Sequence, residues 1–170
     1  MHLTKDDVLA KLTEAGIAYS VIDHPPVHTV EEALPYWSKL DCMHTKNLFF
    51  KDAKDALWLV SAPTDRAIDL KLLPKQIGSK RLSFAREEIL FETLGVRQGA
   101  VSPLALINAP SGKVNLVLDV ALTQSPQVGF HPLDNTATIA LASSDLLAFL
   151  QSLGHAPAIV ALDQPPSETA

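Results

Sequence analysis

The chain has 170 residues, of which 47% are hydrophobic and 19% charged, with a formal net charge of −5. That length and composition supply one domain with a sizeable core and exclude a disordered or low-complexity chain. The single cysteine, Cys42, excludes an internal disulfide and a cysteine-built metal cage, and fits a reducing compartment.

In chain order, Thr4 reads as the cap of an amphipathic helix whose stripe is Val8, Leu9 and Leu12 and whose end is Gly16. IAYSVIDH alternates like a strand. After the rigid Pro25-Pro26 turn, Thr29 and Glu32 form the pattern of a capping box for a short helix from Val30 that closes near Pro35. TKNLFFKD and ALWLVSAP are two apolar runs bridged by KDAKD, the pattern of a hairpin. DLKLLPKQIG reads as a short helical piece broken by Pro74, and REEILFETLG as a helix ending at Gly95. LALIN is expected to be a strand, and VNLVLDVAL a strand or a strand plus a short turn. VGFH and ATIALA are two more strands. Ser143 or Ser144 caps a helix over SSDLLAFLQSLG that ends at Gly154. APAIVAL is the last strand, and QPPSETA is a polar tail.

Seven or eight short strands and four or five helices follow from this reading. Several strands lie too close in sequence for a helical crossover, so they pair antiparallel. The expected fold class is α+β: a single compact domain, residues 1–162, with a mixed, barrel-like sheet flanked by helices, followed by a polar tail at 163–170. The opening MHLTKDDVLAKL carries acids and no apolar run, unlike a signal peptide, and no segment approaches the roughly 18 apolar residues of a membrane span. The expectation is a soluble, cytoplasmic protein without a membrane partner.

Ten basic residues against seven acidic ones lie between Lys46 and Arg97, a local excess of three, which leaves −8 on the remainder. A nucleic-acid ligand has to land on that local face, and the negative whole argues against specific duplex DNA. No Walker loop, dinucleotide fingerprint, HExxH or GxSxG elbow is present. His24 and His28 are four apart, but the intervening prolines deny them one helical face, so no metal or other cofactor is expected.

Three stretches can carry chemistry. Lys46 and Asn47 stand where a polar segment gives way to LFF. Lys46 there is either a rim cation for a phosphate or carboxylate, or a snorkelling strand-end lysine. Gly99, Ala100, Val101, Ser102 and Pro103 make a bent loop almost free of side chains. It is either an ordinary turn or a set of exposed backbone amides suited to a carbonyl oxygen that becomes negative. In FHPLDNTATIAL, His131 closes a strand before Pro132, and Asn135 and Thr136 supply polar groups as the chain turns back. His131 is either a turn residue or a ligand-binding or proton-moving group.

Taken together and in order, TKNLFFKD, GVRQGAVSPLAL and GFHPLDNTATIAL resemble the signature segments of the YbaK/prolyl-tRNA-synthetase-associated editing domain family. The likeness is to its freestanding branch, the prolyl-tRNA editing proteins that hydrolyse alanine mischarged on tRNA(Pro). It runs from the first helix to about Val160. One departure is Ala109 after Asn108, where many relatives have Asn-Asp. The resemblance implies a carboxylic ester hydrolase acting on the 3′ end of an aminoacylated tRNA(Pro), in the service of translation fidelity. Prolyl-tRNA synthetase is the further partner it admits. It places the family's lysine on Lys46, its GxxxP loop on Gly99–Pro103 and its histidine on His131. It implies that the loop amides stabilise the transition state with help from the ribose 2′-hydroxyl, while Lys46 holds the terminal adenosine phosphate. Alanine is then separated from the larger proline by a pocket too small for proline, with walls expected among Tyr19, Ile22, Val30, Leu34 and Phe130. Editing of cysteine, serine or threonine by the same fold and a non-catalytic tRNA-end binding module are the alternatives.

Overall fold

A computed structural model describes residues 2–27 and 30–162. Helix α1 (Lys5–Glu14) starts as its sequence dictates: the Thr4 amide donates to the Asp7 carboxylate at 2.8 Å, and Val8 and Leu12 are fully buried. Strand β1 (Tyr19–Asp23) follows, then α2 (Val30–Trp37). Helix α2 closes near Pro35 as expected, two residues beyond it at Trp37, and the Thr29 half of its expected capping box lies outside the described residues. The hairpin forms as read: β2 (Met43–Asp52) pairs antiparallel with β3 (Leu57–Pro63).

Helix α3 (Leu73–Ile77) corrects one expectation. Pro74 sits in its first turn, where the missing N–H costs no helical bond, so it starts the helix instead of breaking it. Strand β4 (Leu82–Phe84) and helix α4 (Glu87–Leu94), closed by Gly95 at φ 70°, come next. LALIN is not a strand. Residues Pro103–Asn108 form a 3-10 helix, with Ser102 Oγ accepting from the Leu104 amide at 3.2 Å. A continuous apolar run does not reveal its period, and Pro103 at the first position sets a helical φ.

β5 (Val114–Asp119) turns directly into α5 (Val120–Gln124), capped by Asp119, whose carboxylate accepts from the Ala121 amide at 3.0 Å. β6 (Gln127–Phe130), β7 (Ala137–Ala142), α6 (Ser143–Ser152) and β8 (Ala158–Val160) complete the described chain. Neither Ser143 nor Ser144 caps α6. Ala142 is the residue before the first turn, and the Ser143 hydroxyl donates to the Ser125 carbonyl at 2.7 Å instead. The polar tail expected at 163–170 lies outside the described residues.

The eight strands form one mixed sheet in the order β1-β7-β6-β2-β3-β5-β8, with β4 also on β2. The β2-β3-β5 unit is buried on both faces. Phe49, Leu59 and Leu118 face the main core with Leu104, Leu106 and Ile139, whereas Phe50, Val60 and Val117 face a second cluster with Leu73 and Leu162. Strands covered on both sides read as unbroken apolar runs, which explains LFF and ALWLV. Each large side chain so buried is worth about 1.5–3 kcal/mol in transfer free energy.

Candidate functional site

Strand β2 has two neighbours on one edge, and they do not meet. Met43 and His44 pair in parallel with β6, while Phe50–Asp52 pair antiparallel with β4. The Ala85 amide donates to the Phe49 carbonyl at 3.0 Å on this edge, and the Thr64 amide donates to the His44 carbonyl at 3.1 Å on the opposite one. Backbone alternation therefore turns the N–H and C=O groups of Thr45 and Asn47 into the gap between β6 and β4.

A cavity of about 320 Å³ occupies this gap. Buried Val27, Ala33, Trp37 and Thr45 close one end, and exposed Phe84, Glu87 and Gln98 form the open lip. Lys46, Asn47, Gly99, Val101 and His131 line it together, so the structure unites three stretches that lie between residues 46 and 131 of the sequence.

A directed hydrogen-bond chain fixes Asn47. The Thr45 hydroxyl donates to the Gly129 carbonyl at 2.7 Å, the Asn47 amide nitrogen lies 3.4 Å from Thr45 Oγ1, and the fully buried Ser61 hydroxyl donates to Asn47 Oδ1 at 2.6 Å. Because a carbonyl only accepts, the direction of the whole chain is set at Gly129. Asn47 thus presents N–H rather than C=O to its Thr45 side, with a second amide proton left for a ligand.

Lys46 projects from the other face of β2, as strand alternation requires. Its ammonium donates to the Arg66 carbonyl, and Arg66 Nε pairs with Asp119 at 2.9 Å, Asp119 being fully buried. Burial pushes the Lys46 pKa down; the neighbouring Arg66 charge adds to this and Asp65 opposes it.

The loop is bare, and not all of its amides are available. Gly99 adopts φ 95°, a left-handed conformation that favours glycine, and the Ala100 amide closes a turn on the Arg97 carbonyl at 3.1 Å. Among the described residues no backbone bond occupies the amides of Gly99, Val101 or Ser102. Ser102 and Pro103 are buried, and the Ser102 hydroxyl is committed to the 3-10 helix.

His131 Nδ1 donates to the Ala137 carbonyl at 2.8 Å, which leaves the lone pair on Nε2. Burial lowers its pKa; the Ala137 carbonyl opposes this and nearby His24 adds to it. His24 is buried, stacked on Tyr36 at 5.0 Å and edge-on to His131 at 5.9 Å, with its Nε2 held 2.8 Å from Thr138 Oγ1. The site therefore joins a backbone amide loop, an oriented carboxamide, a neutral imidazole and a cation on the far side of one strand. Among the described residues no group of three or more His, Cys, Asp or Glu side chains is placed to hold a metal ion.

The aminoacyl-tRNA editing domain model matches residues 24–149, a span that contains every residue lining the cavity. The chain belongs to this family. The prolyl-tRNA synthetase associated domain-containing protein 1 of Bos taurus is 42% identical over 159 residues, covering 91% of this chain and 92% of that protein. The prolyl-tRNA editing protein ProX of Acetoanaerobium sticklandii is 41% identical over 156 residues, covering 89% and 93%. The crystal structure of a candidate trans-editing enzyme for prolyl tRNA synthetase shares the fold, with a TM-score of 0.71 at 23% identity over 94% of this chain and 98% of that one.

In this editing domain the expected pocket walls fall elsewhere. Tyr19 sits beside Thr13, its hydroxyl 3.4 Å from the threonine's, Ile22 lies on the β1–β7 pairing, and Phe130 is packed in the main core. Leu34 is 53% exposed because the i, i+4 pair Ala33 and Trp37 forms the inward face of α2. The side chain of Val30 lies outside the described residues. Asn135 and Thr136 do not line the cavity. Asn135 donates to the carbonyl of Val27, which does, at 3.1 Å, and Thr136 is bonded to Asp134 at 2.7 Å. No motif of the sequence assigns a role to Val27, Ala33, Trp37, Thr45 or Ser61. The i, i+4 spacing of Ala33 with Trp37 and the i, i+2 spacing of Thr45 with Asn47 were the available signals. No helix among the described residues is long and apolar enough to cross a membrane.

Proposed function

We propose that this editing domain hydrolyses the ester of Ala-tRNA(Pro) in trans, clearing a charging error of prolyl-tRNA synthetase. Family membership and the two named relatives support the substrate class. The observation that carries the reaction is the convergence, in one gap of the sheet, of loop amides at Gly99 and Val101 that no backbone bond occupies with the oriented Asn47 carboxamide.

Water adds to the ester carbonyl carbon, and the carbonyl oxygen becomes an oxyanion met by amide N–H groups that need no reorganisation. The bond to the ribose oxygen then breaks, that oxygen takes a proton, and alanine leaves as its carboxylate. The neighbouring 2′-hydroxyl relays the proton and helps activate the water, which accords with a cavity whose one lining carboxylate among the described residues, Glu87, is paired with Arg97 at 3.8 Å. His131, neutral and with its lone pair on Nε2, accepts from the substrate's α-ammonium group. Lys46 keeps donors beyond its bond to Arg66 and grips the terminal phosphate, holding the ester in register.

Selection acts at the closed end. Val27, Ala33 and Trp37 wall that end; the proposed selection is that they accept a methyl group and that a proline ring overpacks them, at a cost of about 1–3 kcal/mol. The test is single-turnover deacylation of Ala-tRNA(Pro), Pro-tRNA(Pro), Ala-tRNA(Ala) and tRNAs charged with cysteine, serine or threonine. Preference for Ala-tRNA(Pro) is expected. Preference for another aminoacyl group gives the domain a different substrate, and binding without turnover makes it a tRNA-end binding module.

A further inference from the structure

The lip of the cavity carries an aromatic residue that the reaction above leaves unused. Phe84 ends the three-residue strand β4 and is 58% exposed, although it pairs with the fully buried Phe50. A single exposed phenylalanine says little. Three features set this one apart. The Phe50 ring stands 4.8 Å away at 31° and holds one side of it, so the remaining face is oriented rather than free. It lines the same cavity as Lys46, Asn47 and Gly99. And exposed Lys80, Arg81 and Arg86 flank it in sequence, with no ion pair to any of the three among the described residues. The acid on the lip, Glu87, already has Arg97 at 3.8 Å.

A held aromatic face among unneutralised cations is the composition of a single-stranded nucleic-acid platform, where bases stack and the backbone is drawn in by charge. An apolar protein partner would gain nothing from the cations. The geometry of the substrate adds a constraint. In an aminoacylated RNA end, the acyl group and the terminal base hang from the same ribose. With the acyl group at the closed end, the base emerges at the open lip.

We infer that Phe84 is the stacking platform for the terminal adenine of the aminoacylated RNA. This rests on the proposed deacylation for the choice of ligand, and the measurement below separates the two. The probe is an uncharged RNA hairpin with an acceptor stem and a single-stranded 3′ end, carrying 2-aminopurine in place of the terminal adenine. Binding to the native domain and to Phe84→Tyr quenches its fluorescence. Phe84→Leu, which keeps apolar bulk but has no π face, loses the quench and weakens binding about tenfold, within the range measured for stacking aromatics. An RNA with an abasic terminal nucleotide loses the same factor with the native domain and nothing further with Phe84→Leu. Thermal melts confirm that the variants are folded.

Retained quenching in Phe84→Leu, or losses from the abasic end and from Phe84→Leu that multiply, overturns the inference. So does a native dimer in sedimentation velocity that Phe84→Leu dissociates without change in RNA binding, since the ring then belongs to an interface between copies. Quenching with no deacylation of any charged tRNA leaves the platform standing and fails the proposed reaction. Deacylation with no Phe84-dependent quench does the reverse, and failure to bind the hairpin together with no deacylation removes both.

Discussion

The two faces of β2 hold their polar residues by different means. On one face, Asn47 is locked by neutral hydrogen bonds that run from Ser61 through Thr45 to Gly129. On the opposite face, Lys46 is held through the main chain of Arg66, whose side chain is anchored by the buried carboxylate of Asp119. A neutral chain orients a dipole with little desolvation penalty, which suits a group that must meet developing charge. An ion pair behind a lysine keeps a full charge at the rim, where it attracts phosphate but pays for burial through a lowered pKa. In the proposed reaction the first face serves the chemical step and the second holds the RNA.

The sharpest way to break this division is at the loop that the Asn47 face opposes. Gly99→Ala is expected to lower the single-turnover rate about 10²–10³-fold, as loss of an oxyanion donor does, with a smaller effect on tRNA binding. Space is not the obstacle, since an added Cβ meets only Asn135 Nδ2 at 3.7 Å; φ 95° is, and relaxing it turns the amides away. Ser102→Ala keeps its amide and is expected to be far milder, costing about 1 kcal/mol of stability for its lost cap in a thermal melt. A dead Ser102→Ala beside an active Gly99→Ala would point to a serine nucleophile.

Next in size is the other face. Lys46→Ala should lower kcat/KM about 100-fold with the fold retained, because a displaced ester loses its near-attack geometry. Lys46→Arg should lose activity as well, since a planar fork does not replace a compact ammonium bonded to the Arg66 carbonyl. Full activity in Lys46→Ala means that the lysine only snorkels.

Ser61→Ala sharpens the comparison from behind. It leaves Asn47 Oδ1 without its donor and frees the carboxamide to turn, so kcat should fall about tenfold with KM unchanged, and Ser61→Thr should restore part of it. If KM rises instead, Asn47 works in binding rather than in the chemical step.

The smallest expected effect is in pH. His131 has a pKa below its ordinary value of 6.5, so it is neutral at pH 7 and its Nε2 accepts. As pH falls through that lowered pKa, the ring gains a proton, loses its acceptor and repels an α-ammonium group. KM for Ala-tRNA(Pro) should therefore rise only on the acid side of the ordinary imidazole value, and the rise should vanish in His131→Asn. A KM that stays flat in acid for the native domain removes His131 from substrate binding.

Local physics made much of this protein legible in its sequence. The Gly16 and Gly95 stops, the Thr4 start of α1, the β2–β3 hairpin and the buried runs each depend on residues within a few positions of one another. The three site stretches stood out because glycine, proline, lysine and histidine are uncommon at the mouth of an apolar segment, and their order carried the family. What the sequence left undecided was set by contacts across long separations. Thr45 meets Gly129 84 residues away, Asn135 meets Val27 at 108, and Asn47 is oriented by Ser61 from the partner strand. The cavity itself exists because β6 and β4 claim different ends of one edge of β2. An apolar residue's pattern shows that it is buried but not against what. So the apolar pattern points to Phe130 and Tyr19 as walls and to LALIN as a strand, and carries no sign that Ala33 and Trp37 close the cavity. Periodicity fixes which side of an element turns inward; only the packing of the whole sheet decides what that side encloses.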